Sequence, residues 1–83
     1  MLRESQRYAE FVARRERLNR RLIESGKQVD QWVEEHKTGE ATVRDLAMLE
    51  GLLFERREFL SELSRLDDSF MKYLLELRNS PQD

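Results

Sequence analysis

The sequence predicts an all-α protein folded as an antiparallel hairpin of two coiled-coil-like helices. Charged and hydrophobic residues each make up 39% of the 83 residues, which is typical of helices with one apolar and one solvated face. Only 3 glycines and 1 proline are present, too few for the many turns of a β-sandwich or barrel. Because the chain is short, we expect a single domain at residues 1–79, followed by a polar tail at 80–83 that contains Pro81.

Turn signals divide this domain into two helical segments of nearly equal length. The first, about residues 2–36, ends at the sequence HKTG, where cationic side chains precede a glycine as they do at helix C-termini. The second, about residues 43–78, follows Thr42, an N-cap threonine with the acidic Asp45 three residues later. The turn is therefore expected at about 37–42, and so short a connection makes the two helices antiparallel neighbours.

The first segment has a narrow apolar seam with the alternating three- and four-residue steps of a coiled coil. Its members are Tyr8, Phe11, Leu18, Leu22, Val29 and Trp32. Arg15 and Ser25 fill two further positions of this seam. Gly26 either caps a first helix, which would divide the segment in two, or lies within one continuous helix at a cost of about 1 kcal/mol relative to alanine.

The second segment has a wider apolar face. Its main seam is formed by Leu46, Leu49, Leu53, Leu60, Leu63, Phe70, Leu74 and Leu77. Arg56 and Asp67 occupy the two remaining positions of that seam. A parallel row at strict seven-residue spacing is formed by Leu52, Phe59, Leu66 and Tyr73. About three apolar positions per heptad are typical of a helix in a bundle of three or more helices.

One helix of the first kind cannot cover so wide a face. Full burial of a large apolar side chain is worth roughly 1.5–3 kcal/mol, so leaving a row in water forfeits several kcal/mol. We therefore expect either that two hairpins pair into a four-helix bundle, as a homodimer, or that a partner helix docks on this face. The residues predicted to bind the partner are Leu52, Phe59, Leu66 and Tyr73, with Trp32 as a further anchor near the turn.

Three charged residues lie at seam positions where leucine is expected: Arg15, Arg56 and Asp67. A buried charge without a partner is costly, so we predict that they form ion pairs that set the register or the oligomeric state. Opposite helix levels place Asp67 within reach of Arg14 or Arg15, whereas the acid nearest to Arg56 is Glu24.

Two glycines, Gly26 and Gly51, are predicted to lie within about one helical turn of each other across the hairpin. Either glycine is simply tolerated at these positions, or another chain approaches closely there.

Charge is unevenly distributed along the chain. Residues 1–27 contain eight basic and four acidic residues, a balance of +4, and the remainder contains seven basic and thirteen acidic residues, a balance of −6. A basic helix beside an acidic one favours antiparallel pairing and register. The alternative is a small helical regulator whose arginine-rich first helix contacts nucleic acid, although interleaved glutamates and the net charge of −2 disfavour it.

No residue pattern indicates catalysis, a cofactor or a metal. The chain has no cysteine, and its one histidine, His36, lies beside Glu34 and Glu35 without the spacing of a metal site. The longest apolar run, residues 46–49, is far shorter than the roughly 20 residues of a membrane span, and the charged start MLRESQRYAE is unlike a signal peptide. We therefore expect a non-enzymatic, cytoplasmic protein without cofactor, metal, small-molecule substrate or membrane insertion.

The stretch DLAMLEGLLFERREFLSEL, residues 45–63, resembles the helix of small flagellar and type III secretion export chaperones in its Leu-Glu, Arg-Glu and Phe-Leu rhythm. It also resembles the coiled coil of the export-ATPase stalk proteins, in which a glycine-containing hairpin turn precedes a similar helix. Both resemblances imply a cytoplasmic adaptor or chaperone that holds an amphipathic helix of an export substrate or machinery component. The sequence thus favours a protein interaction module.

Overall fold

The computed structural model describes residues 2–79, with side chains from residue 4 onward, and contains two helices. Helix α1 spans Leu2–Glu35 and helix α2 spans Val43–Asn79. They pack antiparallel as a rod of 66 × 17 × 15 Å, which confirms the predicted helical hairpin. The predicted polar tail, residues 80–83, lies outside the described residues.

A capping box starts α2 and fixes its position relative to the turn. The Asp45 N–H donates to Thr42 Oγ1 at 3.1 Å, and the Thr42 N–H donates to Asp45 Oδ2 at 3.0 Å. Gly39 adopts a φ of +88°, the left-handed conformation in which glycine carries no steric penalty. Asp45 Oδ2 also lies 3.7 Å from His36 Nε2, so the cap ties the start of α2 to the end of α1.

Heptad geometry sorts the apolar side of α2 into three parallel rows, neighbouring rows being about 50° apart around the helix. The central row comprises Leu49, Arg56, Leu63, Phe70 and Leu77. The inner row comprises Asp45, Leu52, Phe59, Leu66 and Tyr73. The outer row comprises Leu46, Leu53, Leu60, Asp67 and Leu74. The inner and central rows are half-buried apart from Arg56, whereas the four outer-row leucines remain between 41% and 51% exposed. Helix α1 therefore packs against the inner and central rows.

This arrangement corrects one expectation from the sequence. The main seam predicted to face the first helix combined the central and outer rows, with the inner row left open, and the structure exchanges the inner and outer rows. Periodicity could not distinguish them, because both rows lie equally far from the central row. The structure distinguishes them: the inner row is half-buried against α1, and Asp45 of that row lies 3.7 Å from His36 at the end of α1.

The seam predicted on α1 faces α2 except at Tyr8, which is 59% exposed. Phe11, Leu18, Leu22, Val29 and Trp32 are all half-buried. Helix α1 is continuous through Gly26, so the alternative of three helices is wrong.

Neither Gly26 nor Gly51 has a neighbouring atom within 4 Å of the position that a Cβ would occupy. The hairpin therefore tolerates both glycines without requiring them for close packing.

Loss of the Thr42 hydroxyl is expected to destabilise the hairpin by about 1 kcal/mol, because the Asp45 N–H then has no acceptor at the start of α2. Urea unfolding of Thr42→Ala, followed by circular dichroism, would show a lower midpoint. Thr38→Ala serves as the control, since no side-chain hydrogen bond of Thr38 is found within residues 2–79. Equal midpoints for the two variants would contradict the capping role.

Hydrogen bonds from the backbone and side chain of Thr42, and then the proximity of His36, lower the pKa of Asp45 from its ordinary value of 3.8. A depressed carboxyl pKa stabilises the fold above the ordinary value, and this contribution disappears as the pH falls through the lowered pKa. As the pH decreases through that acidic range, we expect the thermal unfolding midpoint of the wild type to decrease. The midpoint of Asp45→Asn should decrease less steeply. Identical pH profiles would exclude Asp45 as a contributor.

Gly51→Ala is expected to stabilise the hairpin by about 1 kcal/mol, because alanine is the better helix former and its methyl group meets open space. The unfolding midpoint in urea measures the gain. A lower midpoint would mean that another chain occupies the space beside Gly51.

Candidate protein interaction surface

An aromatic cluster closes the end of the hairpin opposite the turn. The rings of Phe11 and Phe70 stack at 4.2 Å between centroids and 17° between planes, and Tyr73 lies 5.6 Å from Phe70. The Arg7 guanidinium sits 3.9 Å above the Tyr73 ring, and Tyr8 lies 6.3 Å from Phe70. These contacts hold the N-terminal part of α1 against the C-terminal part of α2.

Arg15 and Asp67 form the ion pair predicted between seam positions. Arg15 Nε donates to Asp67 Oδ1 at 3.0 Å, and the Nη2 atom donates to Oδ2 at 3.2 Å. The hydrogen bond and the charge of Asp67 raise the pKa of Arg15, so the guanidinium stays protonated. Because both side chains are partly exposed, the pair aligns the two helices more than it stabilises them.

A second cluster closes the hairpin at the turn. The Trp32 and His36 rings stack at 4.0 Å, and His36 Nδ1 lies 2.7 Å from the Trp32 carbonyl oxygen. Trp32 is half-buried, and its Nε1 atom is buried without a hydrogen-bond partner within residues 2–79. Trp32 therefore ends the hairpin seam, and its role as an anchor for a partner stays a prediction.

The middle of the seam lacks a comparable cluster. Ser25, 1% exposed, is buried where a larger apolar side chain would fill the seam, and its hydroxyl has no hydrogen-bond partner in the described part of the chain. On α2, Arg56 is exposed and forms no ion pair among residues 2–79, so the pairing predicted for it, with Glu24 as the nearest acid, is absent from the hairpin. The two polar residues at the middle of the seam, Ser25 and Arg56, therefore have no side-chain partner within the described residues.

The exposed outer row of α2 and the half-buried central row beside it form a surface that we call the open seam. It keeps the alternating three- and four-residue steps of a coiled coil from Leu46 to Leu77. Its half nearest the turn is a groove in which Arg56 lies among Leu49, Leu53 and Leu60, and which Glu50 and Arg57 also line. The open seam is therefore an apolar strip with a free cationic side chain among leucines.

The residues predicted to bind a partner lie elsewhere. Leu52, Phe59, Leu66 and Tyr73 belong to the inner row and are half-buried in the hairpin seam, where Phe59 lines the same interhelical groove as Ser25. Their contact with a partner stays a prediction. The row that the hairpin leaves exposed is the outer row. The sequence predicted instead that this row would face the first helix. No signal in the sequence separates the two rows, because both are apolar and both lie equally far from the central row.

The opposite side of the rod carries charges of both signs. Arg14, Arg17 and Arg21 line one interhelical groove together with Glu62, and Arg20 lines another with Glu55. Nucleic-acid binding requires a basic surface that attracts phosphates along its length. Carboxylates beside these arginines weaken that attraction, so the arginine-rich helix supports pairing within the hairpin better than a nucleic-acid interface.

Residues 2–79 contain neither a metal-binding cluster nor a membrane-spanning helix. Histidine, aspartate and glutamate side chains form no group there that would hold a metal ion. Neither α1 nor α2 contains a stretch apolar enough to cross a membrane.

Comparison of the chain with protein-family models, with curated proteins and with solved structures gives no match.

Proposed function

We propose that this protein is a non-enzymatic protein interaction module that binds another helical chain, its own or a partner's, through the open seam. The observation that carries the proposal is the exposure of the outer-row leucines in a hairpin that buries no apolar side chain among its described residues. Contiguous exposed apolar surface of this kind marks interaction sites in soluble proteins.

The accessible surface of the hairpin supports this proposal. It amounts to 7308 Å², whereas a compact protein of this mass exposes about 5,200 Å². A standard protein interface covers about 800 Å² on each partner, so the excess is large enough to accommodate one. A helix that bound along the open seam would remove the outer-row leucines from water, and burial of this apolar surface would favour binding.

The proposed activity is that of an adaptor or chaperone. Resemblance of residues 45–63 to the helix of flagellar and type III secretion export chaperones makes an amphipathic export-substrate helix one class of partner, and implies a cytoplasmic setting. Apolar side chains at heptad spacing would supply affinity, and Arg56 and Asp67 would select the register of the bound helix.

Leu53→Asp is expected to abolish association while leaving the hairpin helical, because it places a charge on the open seam without touching the contact with α1. Two measurements test this: the solution mass by light scattering over a concentration series, and recovery of bound proteins on immobilised wild-type and variant chains. Association through the open seam predicts that self-association, or recovery of a specific partner, is lost in the variant.

Met48→Asp provides the matched control, because Met48 is also an exposed apolar residue near the start of α2 but lies outside the open seam. It should behave as the wild type in both measurements. A wild-type chain that stays monomeric and recovers the same proteins as Leu53→Asp would disprove the proposed function.

A further inference from the structure

We infer that the open seam is occupied by the open seam of a second copy, so that two α2 helices pair antiparallel across a two-fold axis between Ser61 and Glu62. This inference rests on the proposed function and specifies its partner. The product is a four-helix bundle in which the two α2 helices are in contact across the axis and each α1 helix packs against its own α2.

The positions of the two charged residues favour this register. Arg56 lies five residues before Ser61, and Asp67 lies five residues after Glu62, so the two-fold axis places each opposite the other in the second copy. Every remaining position of the open seam then faces an apolar side chain, as Leu60 faces Leu63 and Leu53 faces Phe70. Antiparallel coiled coils pair unlike heptad positions in this way, so the layers are geometrically regular.

Other arrangements of two open seams lose this complementarity. A parallel, in-register pair places Arg56 against Arg56 and Asp67 against Asp67, which is repulsive. Sliding the antiparallel pair by one heptad in either direction sets both charged residues opposite apolar ones and shortens the overlap. The proposed axis also lies at the middle of α2, Val43–Asn79, so the two helices overlap along almost their full length.

The hairpin leaves both charged groups ready for this contact. Arg56 forms no ion pair within residues 2–79, although it lies in a groove lined by leucines. The side chain of Asp67 is 37% exposed while it accepts both hydrogen bonds from Arg15, so its carboxylate still has lone pairs facing the open seam. In the dimer, each Asp67 lies between Arg15 of its own chain and Arg56 of the second copy.

A second copy satisfies the open seam better than an unrelated helix would. A foreign helix would have to carry apolar residues at both heptad positions over some 30 residues, with an acid and a base at the spacing of Arg56 and Asp67. The copy meets all of these requirements by symmetry, as isologous interfaces do. Its small net charge of −2 also adds little repulsion between two chains.

Complementary charge reversal tests the register. The variant Arg56→Asp and the double variant Arg15→Asp with Asp67→Arg should each dimerise on the order of 100-fold more weakly than the wild type, because each homodimer contains two like-charge contacts. An equimolar mixture should regain near wild-type affinity, because the heterodimer restores both contacts and the double variant keeps its own pair within the hairpin. Sedimentation equilibrium measures all three dissociation constants.

Arg44→Asp is the matched control for Arg56→Asp. It makes the same change in net charge at an exposed position of α2 that lies outside the open seam, so its dissociation constant should equal that of the wild type. Equal weakening by Arg44→Asp and Arg56→Asp, or no recovery in the mixture, would overturn the proposed register.

The separation of the two turns tests the orientation. The chain has no cysteine, so Thr38→Cys carries a single spin label at the turn. Antiparallel pairing about the proposed axis puts the two labels about 70 Å apart, whereas parallel pairing brings both turns to the same end. A short label distance in pulsed dipolar spectroscopy would overturn the antiparallel arrangement.

The solution mass separates this inference from the proposed function. A wild-type chain that is monomeric at every concentration, yet recovers a partner that Leu53→Asp fails to recover, would refute the second copy as occupant while supporting the interaction module. A dimer that Leu53→Asp dissociates, with label distances and charge reversal as expected, supports both. A monomer that recovers nothing through Leu53 would refute both.

Discussion

A hairpin of two helices cannot enclose a core, because each helix shields only one strip of the other. Ser25 is accordingly the only buried side chain among the described residues, and the large apolar residues of both helices are at most half-buried. This geometric constraint governs the rest of the molecule. It concentrates intramolecular contacts on the inner and central rows of α2 and leaves the outer-row leucines in water. A chain that covered these leucines would gain binding free energy and would stabilise the fold at the same time.

The two ends of the hairpin hold it in register, and they do so by different means. Stacked Phe11 and Phe70 join the helices away from the turn, whereas the Thr42 and Asp45 cap, with His36 beside it, joins them at the turn. Between these ends the small Ser25 contributes little apolar contact.

The charged residues at heptad positions have two different roles, one within the hairpin and one on its open seam. Arg15 and Asp67 meet within the hairpin and align α1 with α2. Arg56 meets no acid there, and it lies among leucines on the face that α1 does not cover. Placing a single charge in an otherwise apolar seam lowers affinity for uncharged partners and favours one register, which is the established use of polar residues at such positions in coiled coils. Arg56 therefore has no role in pairing the two helices of the hairpin, and its position favours a role in binding another chain.

Much of this architecture could be predicted from the sequence. Scarce glycine and proline, the threonine cap at residue 42 and the heptad rhythm predicted a helical hairpin, its turn and an ion pair of Asp67 with Arg14 or Arg15, of which the structure selects Arg15. The sequence could not decide which side row of α2 faces α1, because the inner and outer rows lie at equal angles on either side of the central row and both are rich in leucine. Only the tertiary structure decided it: α2 is rotated so that Leu52, Phe59, Leu66 and Tyr73 are half-buried against α1, with Asp45 of the same row 3.7 Å from His36. The same rotation determines that Leu53 and Leu60 face solvent while Leu52 and Phe59 face α1, and therefore which surface is available to another chain.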